Sequence, residues 1–376
     1  MNDRRTIRAG LIGYGIGKFY AAALRTVDLY YPDLPAVELV AVATASEASG
    51  QLAVQQSGFK RHTCDYRELL ASDDMDVLVI ASPNYLHRDM LIDALRTNKA
   101  IYTDKPLANN LDEARQIMQA ARETGHDAQM IFEVRYCPAL QQARRLVEQG
   151  RLGRVYAFRS VYFRSSYAEP DRPLRWKGSL AHSGGGVLID LAPHAIDLVM
   201  WLVGRPHRVA AQLRTFIDER PSSAGGADRV RVETDDHALV QLAMPDGALG
   251  TIEAGRLITG CVNDLSLEIY GSDGSLRWNL AEPNALYFAD RKLPADERGW
   301  LKIPANARFP DAALPGHDLP VGMMQLHIAG MADFLRKTID RRPYEPGLAQ
   351  GFRVQAVIEA AVQAAQRSAW VDVAYE

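Results

Sequence analysis

The stretch "TIRAGLIGYGIGKFYAAALRTV" at residues 6–27 joins a short apolar strand to a helix through a glycine-rich turn. The residues of the turn are Gly13, Gly15, Ile16 and Gly17. Glycines there allow close backbone approach, and the N–H groups and dipole at the start of the helix favour a pyrophosphate. The stretch therefore predicts a dinucleotide-binding turn. Lys18 stands where the usual spacing has the third glycine, so the exact phosphate contacts stay open.

More strands of the same type follow this turn. The apolar runs "VELVAVAT" (37–44), "DVLVIASP" (76–83) and "AIYTDKP" (100–106) are separated by helical stretches, and "AQMIFEV" (128–134) adds another strand. Buried apolar strands alternating with helices are typical of a parallel sheet. The sequence predicts an α/β domain at residues 1–134 with a doubly wound parallel sheet, whose ligand groups lie at the carboxyl ends of the strands.

The end of the second strand bears on the cofactor. An acid at this position normally accepts hydrogen bonds from the ribose of NAD, but here the strand ends in Thr44, Ala45 and Ser46. No carboxylate at 44 repels a 2′-phosphate, and no arginine at 45 binds one. The pattern weakly favours NADP over NAD, and Thr44 and Ser46 as mere loop-closing residues remain an alternative.

Composition narrows the function classes. A chain of 376 residues is long enough for two domains, so residues 135–376 are expected to form the second. The net charge of -3 gives no general attraction to nucleic acid or to an anionic membrane, which leaves small molecules as partners. Three widely spaced cysteines favour a reducing cytoplasm. Arg4 and Arg5 are weak evidence for twin-arginine export, because the following residues suit a strand better.

The second domain is expected to be α+β. "DHALVQLAMPDGALGTIEAG" indicates two strands turning at 245–247, and "LSLEIYGSDGSLRWNL" another pair turning at 272–274. They predict an open, mostly antiparallel sheet with one face on helices such as 186–203 and the other as a subunit interface. A last helix at 348–368 is expected to pack near the domain junction.

One apolar helical pattern in this domain contains polar residues. "HSGGGVLIDLAPHAIDLVMWLVG" (182–204) includes Asp190 and His194, which are four residues apart and would share one face of a continuous helix. Taken alone, the pair is also compatible with an ordinary, partly exposed helical contact.

Three motifs together resemble a known family. "TDKP" with Lys105 beside Pro106, "SPNYLH" after the preceding strand, and "GGGVLIDLAPH" are similar to the glucose–fructose oxidoreductase, inositol dehydrogenase and rhizopine-catabolism family of NAD(P)-dependent enzymes. The resemblance extends over nearly the whole chain. The family usually has Glu-Lys-Pro where this chain has Asp104, so a ribose contact is expected to differ.

The resemblance implies roles for particular residues and an assembly. Lys105, Asp190 and His194 take the catalytic positions, and the family's usual homodimer or homotetramer is expected. The glycine run would let the helix approach the nicotinamide. The residues placed near the cofactor are Ser82, Pro83, Asn84, His87, Asp104 and Lys105, and Arg135 is placed near the substrate together with Asp190 and His194.

Oxidation of an alcohol requires a base, because a proton leaves the hydroxyl as hydride leaves carbon. Imidazole suits this near neutral pH, whereas an ammonium does so only in a strongly altered environment. We therefore assign His194 as proton acceptor, Lys105 as the group that stabilises the developing alkoxide, and Asp190 as a group that orients substrate or imidazole.

A segment rich in arginine and aromatic residues precedes the glycine run. In "YFRSSYAEPDRPLRWKG", Tyr167, Arg172 and Trp176 are candidates for binding hydroxyls and the apolar face of a sugar, although a surface loop pinned by tryptophan explains them equally well. Prolines between 291 and 320 suggest an irregular lid or interface loop. His317 and His327 near its end are expected to be structural more often than substrate-binding.

The sequence therefore predicts a cytoplasmic NAD(P)-dependent dehydrogenase acting on a secondary alcohol or ketone of a sugar, sugar derivative or inositol, without a metal. Two alternatives stay open. One is a non-catalytic regulatory protein that binds NAD(P), and the other is a glycosidase that uses transient oxidation.

Overall fold

The computed structural model describes residues 6–305, 312–314 and 319–376. Arg4, Arg5 and His317 lie outside them. The described chain divides into two compact units, one built mainly from the first part of the chain and one mainly from the middle.

The first unit contains a six-stranded parallel sheet in the order β3-β2-β1-β4-β5-β6. Its strands are β1 Ile7–Ile12, β2 Val37–Ala43, β3 Arg61–Thr63, β4 Val77–Ile80, β5 Ala100–Thr103 and β6 Ala128–Met130. Its helices are α1 Gly17–Tyr30, α2 Glu47–Ser57, α3 Tyr66–Ala71, α4 His87–Leu95 and α5 Leu111–Thr124. Strand order reverses between β1 and β4, which is where ligands bind in sheets of this type. The predicted doubly wound sheet is confirmed.

Strand β6 is shorter than the sequence predicts. A strand was predicted over 128–134, but it ends at Met130, and a 3₁₀ turn follows at Glu133–Tyr136. The N–H of Arg135 donates to the carbonyl of Phe132 at 3.1 Å, so the backbone has already left the sheet. An apolar run alone does not show where sheet pairing stops.

A late helix belongs with the first unit. Helix α10, Met323–Ile339, follows the second domain in sequence, yet Arg336 forms an ion pair with Asp33 at 2.8 Å and the His327 ring packs edge-on against Tyr20 at 5.5 Å. The boundary expected at 134/135 therefore omits part of the first unit. His327 is buried in this packing, only 7% exposed.

In its described residues, the second unit contains a nine-stranded, mostly antiparallel sheet, in which only β7 and β12 pair in parallel. Its order is β16-β15-β14-β13-β7-β12-β11-β8-β17. The strands are β7 Val155–Phe163, β8 Arg208–Arg214, β11 His237–Ala243, β12 Leu249–Gly255, β13 Asp264–Gly271, β14 Gly274–Asn279, β15 Ala285–Asp290, β16 Leu301–Pro304 and β17 Val371–Asp372, with a separate pair β9 Glu219–Pro221 and β10 Arg229–Arg231. Both predicted hairpins are confirmed. Strand β16 lies in the segment that was expected to be irregular.

The helices of the second unit differ from the prediction at one point. They are α6 Pro138–Glu148, α7 Leu180–Ser183, α8 Val187–Asp190, α9 Ala192–Leu202 and most of α11 Leu348–Arg367. The continuous helix expected over 186–203 is wrong, because the chain bends by 47° between Asp190 and Ala192. Pro193 explains the break, since it has no N–H for the carbonyl one turn earlier and its ring crowds that carbonyl.

Among the described residues, no single helix has the length and apolar character of a membrane span. The segments Leu180–Asp190 and Ala192–Leu202 reach that length and composition only together, as the bent pair.

Candidate active site

The glycine turn is built on a left-handed backbone. Gly13 has φ +89°, and its N–H donates to the carbonyl of Ala43 at 2.8 Å. A Cβ at this position would lie 2.4 Å from the carbonyl oxygen of Ala81. Glycine is therefore required both by conformation and by the close approach of β1, β2 and β4.

The turn leaves room for a phosphate. A Cβ added to Gly15 would meet nothing within 4 Å, and α1 begins at Gly17 with no side-chain cap from Ile16. The N–H groups of the first turn and the positive end of the helix dipole suit a pyrophosphate. Because the helix starts at Gly17, Lys18 already lies within it, so the turn closes without a third glycine at that position. These residues fit a dinucleotide cofactor.

The hydroxyls after β2 have local partners. Thr44 donates its Oγ1 hydrogen to the carbonyl of Ser46 at 2.8 Å, and the Ser46 hydroxyl accepts the N–H of Ser49 at 3.3 Å as the N-cap of α2. Both side chains thus stabilise the turn, as the loop-closing alternative proposes. Their contact with a ribose stays a prediction.

His87 joins two loops at the edge of the sheet. Its Nδ1 lies 2.8 Å from the carbonyl oxygen of Pro106 and its Nε2 lies 2.9 Å from that of Ser82. The ring is only 1% exposed, and Asn84 at the preceding 3₁₀ turn is also buried. The sequence placed His87 near the cofactor, and the structure shows its ring packed between the loop of Lys105 and the loop after β4.

This burial predicts a pH dependence of stability. Burial lowers the pKa of folded His87 below its ordinary value of 6.5, so the unfolded chain takes up a proton at a higher pH than the folded chain. The free energy of unfolding should therefore fall as pH drops through 6.5.

The test compares the protein with a His87→Gln variant by urea unfolding between about pH 8 and about pH 5. At about pH 8 the variant should be less stable by about 1–3 kcal/mol, because a glutamine side chain does not reproduce the packing and the hydrogen-bond geometry of the buried ring. That difference should shrink towards low pH, since the variant lacks the titrating ring. A difference that stays constant would contradict a neutral, buried His87.

Asp104 and Lys105 follow β5. The N–H of Lys105 donates to Asp104 Oδ1 at 2.8 Å, and the Tyr20 hydroxyl hydrogen-bonds to the same carboxyl group. Burial raises the pKa of the Asp104 carboxyl, the neighbouring Lys105 lowers it, and Glu133 raises it further. The acid that replaces the family's glutamate is thus held by the protein itself.

Arg135 has a structural partner within the first unit. It is 4% exposed, and its Nη1 lies 3.1 Å from Glu345 Oε1. This ion pair ties the 3₁₀ turn after β6 to the segment before α11. The role of Arg135 towards substrate stays a prediction.

In the second unit, Asp235 holds the start of α8. Its two carboxylate oxygens accept the N–H groups of Gly186 at 2.7 Å and Leu188 at 2.9 Å. A Cβ on Gly186 would lie 1.8 Å from the carbonyl oxygen of Asp235, so Gly186 is required by close approach to the chain's own backbone. The approach of the glycine run to the nicotinamide stays a prediction. Sequence reasoning missed Asp235, although two consecutive acids before a buried strand were a visible signal.

Asp190 is paired with a lysine that the sequence analysis also missed. Lys177 Nζ lies 2.8 Å from Asp190 Oδ1 and 2.9 Å from Oδ2. The same ammonium lies 5.5 Å from the centre of the Trp176 ring. Trp176 is 36% exposed, so one of the three predicted sugar-binding residues is accessible beside this ion pair.

His194 lies beyond the helix break. Its N–H donates to the carbonyl of Leu191 at 3.3 Å in the first turn of α9, so Asp190 and His194 do not lie on one continuous helix as expected. The imidazole is 6% exposed and packs edge-on against Tyr162 at 5.7 Å. Tyr162 in turn donates its hydroxyl to Asn263 Oδ1 at 2.8 Å, which fixes the ring that packs on the histidine.

Tyr167 and Arg172 belong to a cluster of arginine side chains around one buried aromatic ring. Three guanidinium groups surround the Tyr167 ring. Their distances from its centre are 4.5 Å for Arg172, 4.8 Å for Arg256 and 5.5 Å for Arg220. Tyr167 is 9% exposed. These contacts anchor the loop through Tyr167 rather than through tryptophan, and the substrate roles of Tyr167 and Arg172 stay predictions.

Comparison with known proteins matches both units. A model of an oxidoreductase family with an NAD-binding Rossmann fold matches residues 7–132, and a model of the GFO/IDH/MocA C-terminal domain matches residues 140–277. The chain belongs to the GFO/IDH/MocA family. It is an oxidoreductase with an NAD-binding domain, as the resemblance implied.

Relatives within the GFO/IDH/MocA family are named as dehydrogenases. Levoglucosan dehydrogenase of Pseudarthrobacter phenanthrenivorans is 31% identical over 98% of this chain and 98% of its own. The scyllo-inositol 2-dehydrogenase (NAD(+)) of Bacillus subtilis is 26% identical over 72% of this chain and 73% of its own. A solved levoglucosan dehydrogenase in complex with NADH and levoglucosan superposes with a TM-score of 0.94 at 30% identity, covering 99% of this chain and 100% of that one.

Proposed function

We propose that this oxidoreductase oxidises a secondary alcohol of a sugar, sugar derivative or inositol, or runs the reverse reduction. The Lys177–Asp190 ion pair beside the exposed Trp176 supports this most directly, because a donor, an acceptor and an aromatic face together suit a polyol. The names of the related dehydrogenases agree with this substrate class.

The residue roles in this proposal follow from the charge that develops. Bound nicotinamide supplies the hydride acceptor, and the alcohol must lose its proton as hydride leaves carbon. His194 accepts that proton, Lys105 stabilises the negative charge on oxygen, and Asp190 positions a substrate hydroxyl.

A cofactor-reduction screen over levoglucosan, myo-inositol, scyllo-inositol and D-xylose tests the activity. Reduced cofactor that accumulates in proportion to enzyme is the expected result. Glucose formed from levoglucosan without net reduction would favour the glycosidase, and cofactor binding without any turnover would favour the regulatory protein.

We expect the protein to bind NADP at least as tightly as NAD. Residue 44 is a threonine whose hydroxyl donates to Ser46, so no carboxylate repels a 2′-phosphate there. Titration with both cofactors gives the two dissociation constants. A preference for NAD of more than about tenfold, or about 1.4 kcal/mol, would contradict this expectation.

A Thr44→Asp variant is the matched control for the cofactor titration. The added carboxylate should weaken NADP binding by about 10- to 100-fold through charge repulsion and affect NAD much less. Equal effects on the two cofactors would show that residue 44 does not lie near the 2′ position.

We also expect a cytoplasmic location and a homodimer or homotetramer that uses the second unit's sheet. The family resemblance supports the assembly, and three free cysteines support the location. Light scattering of the purified protein measures its mass directly.

A further inference from the structure

Lys177 lies between two side chains of different chemistry. Its Nζ is 2.8 and 2.9 Å from the two carboxylate oxygens of Asp190, and it lies 5.5 Å from the centre of the Trp176 ring. Trp176 and Lys177 both lie in a short 3₁₀ turn, Trp176–Gly178. The result is a positive donor and a negative acceptor next to a flat apolar surface.

The ion pair is accessible. About one third of each side chain is exposed, 34% for Lys177 and 32% for Asp190. An ion pair with this exposure adds little to folding stability, because water screens the charges.

The spacing matches one feature of polyols. Oxygens on neighbouring carbons of a sugar or inositol ring are separated by close to one hydrogen-bond length, as are Lys177 Nζ and Asp190 Oδ1 at 2.8 Å. One hydroxyl can donate to the carboxylate while its neighbour accepts from the ammonium. The C–H face of the same ring can pack on the indole of Trp176.

We propose that Lys177 is a specificity-determining residue that recognises the hydroxyl next to the one held by Asp190, and so selects substrates with vicinal hydroxyls. This role rests on the proposed polyol dehydrogenase activity. Lys177 binds and orients the substrate, while hydride and proton transfer involve other groups.

The test crosses enzyme variants with substrate variants. The polyol with the highest kcat/KM in the cofactor-reduction screen is compared with its monodeoxy derivatives, using the wild-type protein, Lys177→Met and Lys177→Arg. The wild type should disfavour one deoxy derivative by about 10- to 100-fold in kcat/KM, because a charged donor then loses its acceptor.

In Lys177→Met, the parent polyol should lose about 10- to 100-fold in kcat/KM, mainly through KM, and the discrimination against that one derivative should nearly disappear. Lys177→Arg keeps the charge and the donors and should retain part of the discrimination. Cofactor affinity and the thermal midpoint should stay close to wild type in all variants.

Lys302→Met is the matched control, because Lys302 also pairs with a carboxylate, Glu282, and lies near an aromatic ring, Tyr287. It should behave as wild type. An equal loss on every substrate in Lys177→Met, with the discrimination unchanged, would overturn the recognition role and leave the dehydrogenase intact. No oxidation of any polyol by the wild type would overturn the proposed function and this role together.

Discussion

Replacing Lys105 with alanine is expected to lower turnover by about 10²- to 10³-fold while the dissociation constant of the cofactor changes much less. The ammonium stabilises negative charge that develops on the substrate oxygen. Its removal therefore destabilises the transition state more than the bound substrate, as the loss of an oxyanion-hole donor does. Single-turnover measurement of reduced cofactor gives the chemical rate, and a separate titration gives cofactor affinity.

Two controls make the Lys105 result specific. Lys60→Ala removes an exposed lysine of the same unit that pairs with Glu38, and it should leave both quantities unchanged. Lys105→Arg keeps the charge but displaces it, and it should remain slow if position matters. Near-normal turnover in Lys105→Ala would remove this residue from the mechanism.

The parallel sheet was predictable because its central strands are buried on both faces. Strand β4 is a continuous apolar run, and β1, β2 and β5 are mostly apolar, so the sequence showed each of them. Strand β3, Arg61–Thr63, contains no apolar run. It is recognised as a strand only by its backbone pairing with β2. Such an edge strand gives no hydrophobic signal.

Contacts distant in sequence were not predictable from local patterns. Arg336 and Asp33 are 303 positions apart, and their ion pair assigns α10 to the first unit. No periodicity in α10 indicates which unit it covers. Domain boundaries drawn from a linear sequence therefore fail where a late helix returns to an early sheet.

The candidate site was predictable in its residue types and less so in its geometry. The family motifs identified Lys105, Asp190 and His194. The pairing of Asp190 with Lys177 depends on how the chain folds over the 13 positions that separate them, which no local pattern shows. The support of Gly186 by Asp235 spans 49 positions. Pro193 is visible in the sequence, and a proline within an apolar helical pattern favours a break there over one continuous helix.

Loss of the imidazole at position 194 should be the most damaging change in the second unit. If His194 accepts the hydroxyl proton, His194→Ala should oxidise alcohol about 10²- to 10⁴-fold more slowly while it still binds cofactor. The residue is buried against Tyr162, so alanine also removes packing. A His194→Gln variant of similar volume separates the loss of a base from the loss of fold.

The pH profile distinguishes a base from a structural histidine. Imidazole changes charge between about pH 5 and 8, and its protonated form cannot accept a proton, so oxidation by the wild type should slow as pH falls through that range. Both His194 variants should lose or shift this acid limb. His207→Ala, which removes an exposed histidine of the same unit, should keep it. A folded His194→Gln protein with normal turnover and the wild-type limb would show that His194 only packs, and that Lys105 or a water molecule takes the proton.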